Sequence, residues 1–335
     1  MTDSVETSLD EAAAGAIACL RATVGAVSAD NAHPLNDTQY AVLDAVARVV
    51  FGLDVAVRTL EPLSAEETAQ LIVDPAVRLR LVELMVTIEL VLHPLPHAVA
   101  KSVDRYATVL AVNEPMVRAA REYASEHLVL MHADISRNSW YREEKLRETR
   151  LGKLGELVRS KLAMFGVRPD PQIEAKWAAL AECPAGSWGR AVFDFYGEND
   201  FPLPGSRNGI EEVGARHDWV HVLAGYPPTP EGEIDVFSFI AATTDDPKAF
   251  PLVVTTFAMF QDYSLTRVHG KKIVIARADT LSDPLAPEHF AEAVHRGIQC
   301  NVDVMAIDHF EYANRDLEEL RAEFNIPPTR DITAG

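Results

Sequence analysis

Apolar residues in the first third of the chain recur three and four positions apart. Leu43, Val46, Val50, Leu53 and Val57 form one such series, the spacing that lines one face of an α-helix. The punctuation between apolar runs points the same way. Asp37 stands where a helix cap is expected, Ser64-Ala65-Glu66-Glu67 has capping-box form, and Asp74-Pro75 opens another helix. His93-Pro94-Leu95-Pro96 breaks that helix, and Asn113 with Pro115 opens the next. The most apolar stretch, Leu79 to Leu92, carries Glu83 and Glu89 and falls short of a bilayer span, so it is expected to be a core helix of a bundle. From Asp10 to Ala133 nearly everything is predicted to be helical.

The same signals return later in the chain. Asp170-Pro171 is expected to start a helix that ends near Cys183-Pro184, and Ser187 to cap the next. Further helices are predicted over Glu211–Leu223, from Asp246-Pro247 through Phe260, over Pro287–Ala313 and over Arg315–Phe324. Gly197–Gly209 is an irregular loop rich in Gly and Pro, and Ile273-Val274-Ile275 is the one strand-like run. The expected fold is all-α, with two helical domains at residues 1–136 and 166–335. The segment between them, 137–165, holds eight Lys/Arg against four Glu, with Leu151, Leu154, Val158, Leu162 and Phe165 on one helical face. That pattern predicts a basic amphipathic helix, either a membrane-surface helix or a linker packed on its neighbours.

Composition narrows the partners. A formal charge of −19 argues against nucleic acid, because phosphate binding needs a cationic face. Three widely spaced cysteines, Cys19, Cys183 and Cys300, give neither a disulfide framework nor a thiolate metal site and suit a reducing compartment. With no basic, apolar leader at Met1-Thr2-Asp3 and no spanning run, the expected location is cytoplasmic, with peripheral contact at a membrane as an option.

The chemistry concentrates in Arg216-His217-Asp218-Trp219-Val220-His221, followed after Tyr226-Pro227-Pro228-Thr229-Pro230 by Glu231-Gly232-Glu233. On a helix His217 and His221 lie one turn apart, and Asp218 is three residues from His221. The Pro-rich loop must break the helix, and the next one can bring Glu233 back toward the same face. The pattern H-D-x-x-H-x(11)-E therefore offers two imidazoles and two carboxylates, a set that matches zinc or another divalent metal in ligand type and in charge. A bare HDxxH also fits a polar helix whose histidines only hydrogen-bond to neighbours. His93 and His97 have ligand-like spacing, but Pro94 and Pro96 forbid a regular helix between them, so a loop or capping role is expected there.

His217-Asp218-x-x-His221-x-x-x-Gly225 with Gly232-Glu233 resembles the signature of the ubiquinone biosynthesis protein four family. Cys183-Pro184-Ala185-Gly186-Ser187-Trp188-Gly189-Arg190-Ala191 is similar to that family's Gly-x-x-Gly-x-Ala segment. His295-Arg296-Gly297, Asp308-His309-Phe310-Glu311 and Leu320–Pro327 resemble its closing helix and terminal segment. The likeness covers roughly 165–328; it departs from the family where His309-Phe310 stands in place of an expected Trp, and in the residues before 150. The turn around Leu60-Glu61-Pro62-Leu63-Ser64 resembles tellurite-resistance-type helical domains in architecture, without their acidic metal-loop residues.

The resemblance implies a mostly helical protein of quinone and prenylated-aromatic lipid metabolism. It would bind zinc through His217, Asp218, His221 and Glu233 and take an isoprenoid or quinone-like lipid beside the metal. Its role would be either to organise biosynthetic enzyme partners, with a homo-oligomer as an option, or to support oxidative decarboxylation of the ring. Arg216 could pair with a substrate carboxylate or with Glu212 four residues earlier. Two readings from other classes stand beside it. In a metal-dependent hydrolase Asp218 would be the general base in place of the zincin Glu, whereas in a non-catalytic interaction protein the metal would only fix a helix pair.

Overall fold

A computed structural model of the chain describes residues 2–113, 169–246, 249–261, 267–268, 271–272, 279–330 and 332. Twelve α-helices lie among these residues. They are α1 (Thr2–Val27), α2 (Asp37–Ala45), α3 (Ala65–Leu71), α4 (Pro75–Glu89), α5 (His97–Val109), α6 (Pro171–Ala178), α7 (Trp188–Glu198), α8 (Arg216–Ala224), α9 (Pro230–Ala242), α10 (Phe250–Phe260), α11 (Ala286–Gln299) and α12 (Leu317–Glu323). Among the described residues, β-pairing between strands is confined to a two-residue antiparallel ladder, Arg267–Val268 with Lys271–Lys272. The fold is all-α, and no helix among the described residues is long and apolar enough to cross a membrane. The basic helix expected at 137–165, the opening signal at Pro115 and the run Ile273–Ile275 lie outside the described residues.

The chain divides into two compact units, and the division is not the contiguous one expected. The first unit comprises 1–138, 250–295 and 330–335, and the second 139–249 and 296–329. Residues 250–295 join the first unit because α10 is almost wholly apolar and packs with α4. At its end the buried Gln261 donates Nε2 to the Val91 carbonyl at 3.2 Å and accepts the Leu281 amide at 2.9 Å. An amide that satisfies two distant backbone groups in the core ties the segment to α4 more firmly than chain order would suggest.

In the first unit, α1 packs with α3, α4 and α5. Ser64 and Glu67 form the expected reciprocal cap on α3, and Asp74 accepts the Ala76 amide ahead of Pro75 on α4. The cap of α2 is Asn36, in a box with Gln39, and Asp37 is the first helical residue. The apolar series from Leu43 to Val57 does not continue on one helix, since α2 gives way to a wider π-turn at Val46–Val50 and the chain turns at Gly52 with φ +67°. His93 and His97 are exposed, in keeping with their loop and helix-start positions. On α4, Leu81, Val82, Met85, Val86 and Ile88 are buried along with Glu83 and Glu89. Burial, with Asp104 adding to it, pushes the Glu89 carboxyl well above its ordinary value, which favours its neutral form.

In the second unit, Asp170 and Ser187 cap α6 and α7 as expected. The core is built on Trp177, Trp188 and Trp219, all fully buried. Trp219 meets Trp188 edge-on at 5.2 Å and Trp177 at 6.0 Å, and Trp188 Nε1 donates to the Trp219 carbonyl at 2.9 Å, which locks α7 to α8. The long helix expected over 287–313 stops at Gln299. Beyond it the Asp303 carboxylate accepts the Met305 and Ala306 amides and Asp308 accepts the Phe310 amide, turns in which an Asp side chain replaces the helical partner.

Candidate metal centre

The helix carrying the two histidines begins at Arg216, five residues later than the pattern suggested. His217 therefore sits in the first turn, where its Nδ1 reaches the Gly214 carbonyl at 2.5 Å. At the other end Gly225 takes φ +80°, the left-handed conformation glycine adopts without penalty, and its amide and that of Tyr226 both donate to the His221 carbonyl. The reversal turns the Tyr226 carbonyl onto His221 Nδ1 at 3.1 Å. Thr229 then caps α9 with Pro230 in its first turn. A Cβ on Gly232 would stand 1.9 Å from the Pro227 carbonyl oxygen, so only glycine lets the loop lie this close to the start of α9. That close approach places Glu233 opposite the histidines.

His217, Asp218 and His221 each bring one donor atom to within 4.8 Å of the others, the one such group of three among the described residues. His217 Nε2 is 3.3 Å from Asp218 Oδ1. Glu233 lies outside that trio and spans the two rings, with Oε1 3.3 Å from His221 Nε2 and Oε2 3.8 Å from His217 Nε2. Two donors held about 2.0–2.2 Å from one tetrahedral ion stand about 3.3–3.6 Å apart. The His217–Asp218 and His221–Glu233 separations match that figure, and the His217–Glu233 separation, through the other Glu233 oxygen, is slightly wider.

The tautomers follow from the partners. A backbone carbonyl only accepts, so Nδ1 of each ring carries a proton and Nε2 of each faces carboxylate oxygens. His221 Nε2 is buried and has Glu233 Oε1 beside it at 3.3 Å. A lone pair facing an anion in a dry site is repulsive unless a cation, metal or proton, lies between them.

The ionisation tendencies reflect this crowding. Burial lowers the His217 pKa, but Asp218, Glu233 and the Gly214 carbonyl outweigh it and the net shift is upward. Burial raises Asp218, with Glu233 adding to it, against the pull of His217, Tyr196 and His221. Burial would raise Glu233 too, yet its contacts with His221 and His217 bring it below its ordinary value. The imidazoles are held from the side, His221 stacked on Phe195 at 5.8 Å and His217 on Phe237 at 5.2 Å. His221 is fully buried, whereas the His217 and Glu233 side chains keep 16% and 18% of their surface.

Three of the expected donors, His217, Asp218 and His221, thus converge, and Glu233 faces both rings from the start of α9. Arg216 serves the fold: its Nη2 donates to the Met305 and Ile307 carbonyls, while Glu212 accepts from Lys176 and Trp177. The supporting roles of three residues had no recognisable signal in the sequence. The Tyr196 hydroxyl donates to Asp218 Oδ2 in a short hydrogen bond. Arg321 donates to the Val222 and Leu223 carbonyls and Arg296 to that of Ala224, capping the end of α8. Tyr196 falls in an aromatic run that spacing alone reads as core, and no periodicity links residues a hundred positions apart. No protein-family model and no curated protein matches the chain.

Proposed function

We propose that the second unit holds one divalent metal ion, zinc by its donor chemistry, through His217, Asp218, His221 and Glu233. The observation that carries the reading is the pair of imidazoles, each with Nδ1 fixed by a backbone carbonyl and Nε2 turned to a carboxylate. Metal-bound histidines use the same arrangement, in which the far nitrogen's hydrogen bond sets tautomer and ring angle. Two neutral rings and two carboxylates carry two negative charges, which a divalent ion balances.

We infer further, from the likeness of the metal motif and its flanks, that the protein acts in quinone or prenylated-aromatic lipid metabolism. It would organise partner enzymes there or support oxidative decarboxylation of the ring. A bound metal would supply Lewis acidity toward a ring hydroxyl or carboxylate oxygen. The chain's own contribution would be to orient that oxygen and exclude water, with Phe195 and Phe237 flanking the donors. The hydrolytic alternative is less well supported, because Asp218 has one oxygen on Tyr196 and the other beside His217, leaving none directed at a water nucleophile.

Elemental analysis of the purified chain should return one equivalent of metal for wild type and none for His221→Ala; equal content in both would remove the site. Organic extraction of wild type should yield an isoprenoid or quinone-like molecule. Its absence, with metal present, would favour a structural metal in an interaction protein.

A further inference from the structure

Asp218 is held by its two oxygens in different ways. Oδ1 lies beside His217 Nε2, among the candidate donors, while Oδ2 accepts the Tyr196 hydroxyl. Tyr196 itself has little freedom. Its ring on α7 is bracketed by Trp177 at 5.5 Å, Phe195 at 6.2 Å and Phe201 at 6.1 Å, and only 2% of its surface is exposed. A buried hydroxyl in such a box has nowhere else to donate, and releasing it would strand a donor and an acceptor together.

Resting on the metal reading above, we propose that Tyr196 is a positioning residue that fixes Asp218 as a one-oxygen ligand and by doing so sets which metals the site prefers. A free carboxylate can turn both oxygens to an ion and raise its coordination number, as carboxylate sites for larger, harder cations do. With Oδ2 committed to Tyr196, Asp218 offers only Oδ1, and the donor set stays at two nitrogens and two single oxygens. That set suits a small four-coordinate ion such as zinc and disfavours manganese or calcium, which take more oxygen ligands. The hydroxyl also draws charge from the carboxylate, which moderates repulsion between Asp218 and Glu233 in a buried site.

The test compares wild type, Tyr196→Phe and Trp177→Phe, the last disturbing the packing around Tyr196 while keeping its hydroxyl. Each is stripped of metal and titrated with zinc, manganese and cobalt(II), with circular dichroism as a control for folding. Tyr196→Phe should bind zinc roughly 10- to 100-fold more weakly, should lose part of its zinc-over-manganese preference, and should show weaker cobalt visible absorption as coordination number rises. Trp177→Phe should keep the wild-type cobalt spectrum. Identical spectra and affinities for wild type and Tyr196→Phe would overturn the inference and leave the metal site standing, whereas wild type that binds no metal would overturn the site itself. Should Tyr196→Phe not fold, wild type labelled with [4-13C]aspartate decides the matter. The infrared difference between metal-loaded and stripped protein should show the wide carboxylate splitting of one-oxygen ligation, and a narrow splitting would refute the proposal.

Discussion

The two faces of α8 both carry buried polar rings, and they treat them in opposite ways. On one face lies Trp219, stacked on His309 at 5.7 Å. His309 also meets Trp188 at 5.2 Å and gives its Nε2 proton to the Val304 carbonyl at 2.7 Å. Burial first, and then the nearby Arg216 cation, hold its pKa down at about 3. It is a neutral histidine that belongs to the core. On the other face His221 is just as buried, but its Nε2 is directed at the Glu233 carboxylate, 3.3 Å away. Burial therefore does not separate a structural histidine from a candidate ligand. The distinction lies in what Nε2 faces: a backbone carbonyl for His309, a carboxylate for His221.

That contrast is most directly broken at the metal. Stripping wild type with a chelator should lower its unfolding free energy by about 2.7 kcal/mol relative to protein in free metal at roughly 100-fold above Kd. His221→Ala should show no such difference. Calorimetry with and without chelator reads both. Equal chelator sensitivity in the two proteins would mean that stabilising metal binds elsewhere and that His221 Nε2 is not its ligand.

The packed face makes the next largest prediction, and its sign is fixed by the depressed pKa. The unfolded chain binds a proton at His309 near 6.5, whereas the folded chain resists it down to about 3. In that window the unfolded state holds more protons, so the stabilisation is complete above about 6.5 and drains away as pH falls toward 3. The loss should reach about 2 kcal/mol between pH 8 and pH 5. His309→Gln, which keeps an amide donor for Val304 but cannot titrate, should lack it. Urea unfolding of both proteins across that range isolates the term, because all other titrating groups are shared. Parallel curves would show that His309 is solvated in the folded state and that the contrast between the faces is false.

How far these two faces could be foreseen differs in the same way. The clustering of His217, Asp218 and His221, with Glu233 facing the rings, was legible, because the three obey a helical period and Glu233 follows a proline break, both local rules. The capping of α3, α4, α6 and α7 was legible for the same reason, as Ser64, Asp74, Asp170 and Ser187 act within three residues of themselves. His309 was read only as a departure from a family pattern, since its environment is assembled from Trp188 and Trp219 far away in sequence. The roles of Tyr196, Gly232 and the two arginines under α8 were missed on similar grounds, although Gly232, Arg296 and Arg321 fall in segments of the family likeness. So was the placement of 250–295 with the first unit, which turns on Gln261 meeting Val91 across 170 positions. The helix over 287–313 was overextended because Asp303 and Asp308 tolerate helical patterning yet bond their own neighbours more readily.

The smallest expected effect concerns the end of α8, where the two faces share one set of carbonyls. Arg321 donates to Val222 and Leu223, groups that would otherwise be left without partners at the helix terminus. Replacing it with Met keeps much of the aliphatic stem and removes both bonds, which should cost about 1 kcal/mol, since the arginine is only partly buried and water can replace some of what is lost. The metal site should not notice. His221 is held by its own carbonyl, which receives the Gly225 and Tyr226 amides, and by the Tyr226 carbonyl on Nδ1, none of which involves Arg321. Arg321→Met should therefore lower the urea midpoint while keeping one equivalent of zinc at wild-type affinity. A tenfold loss of affinity in that variant would mean that the helix end and the ligand face are one mechanical unit, with ring orientation set by the C-terminal carbonyls as much as by the Gly225–Tyr226 reversal.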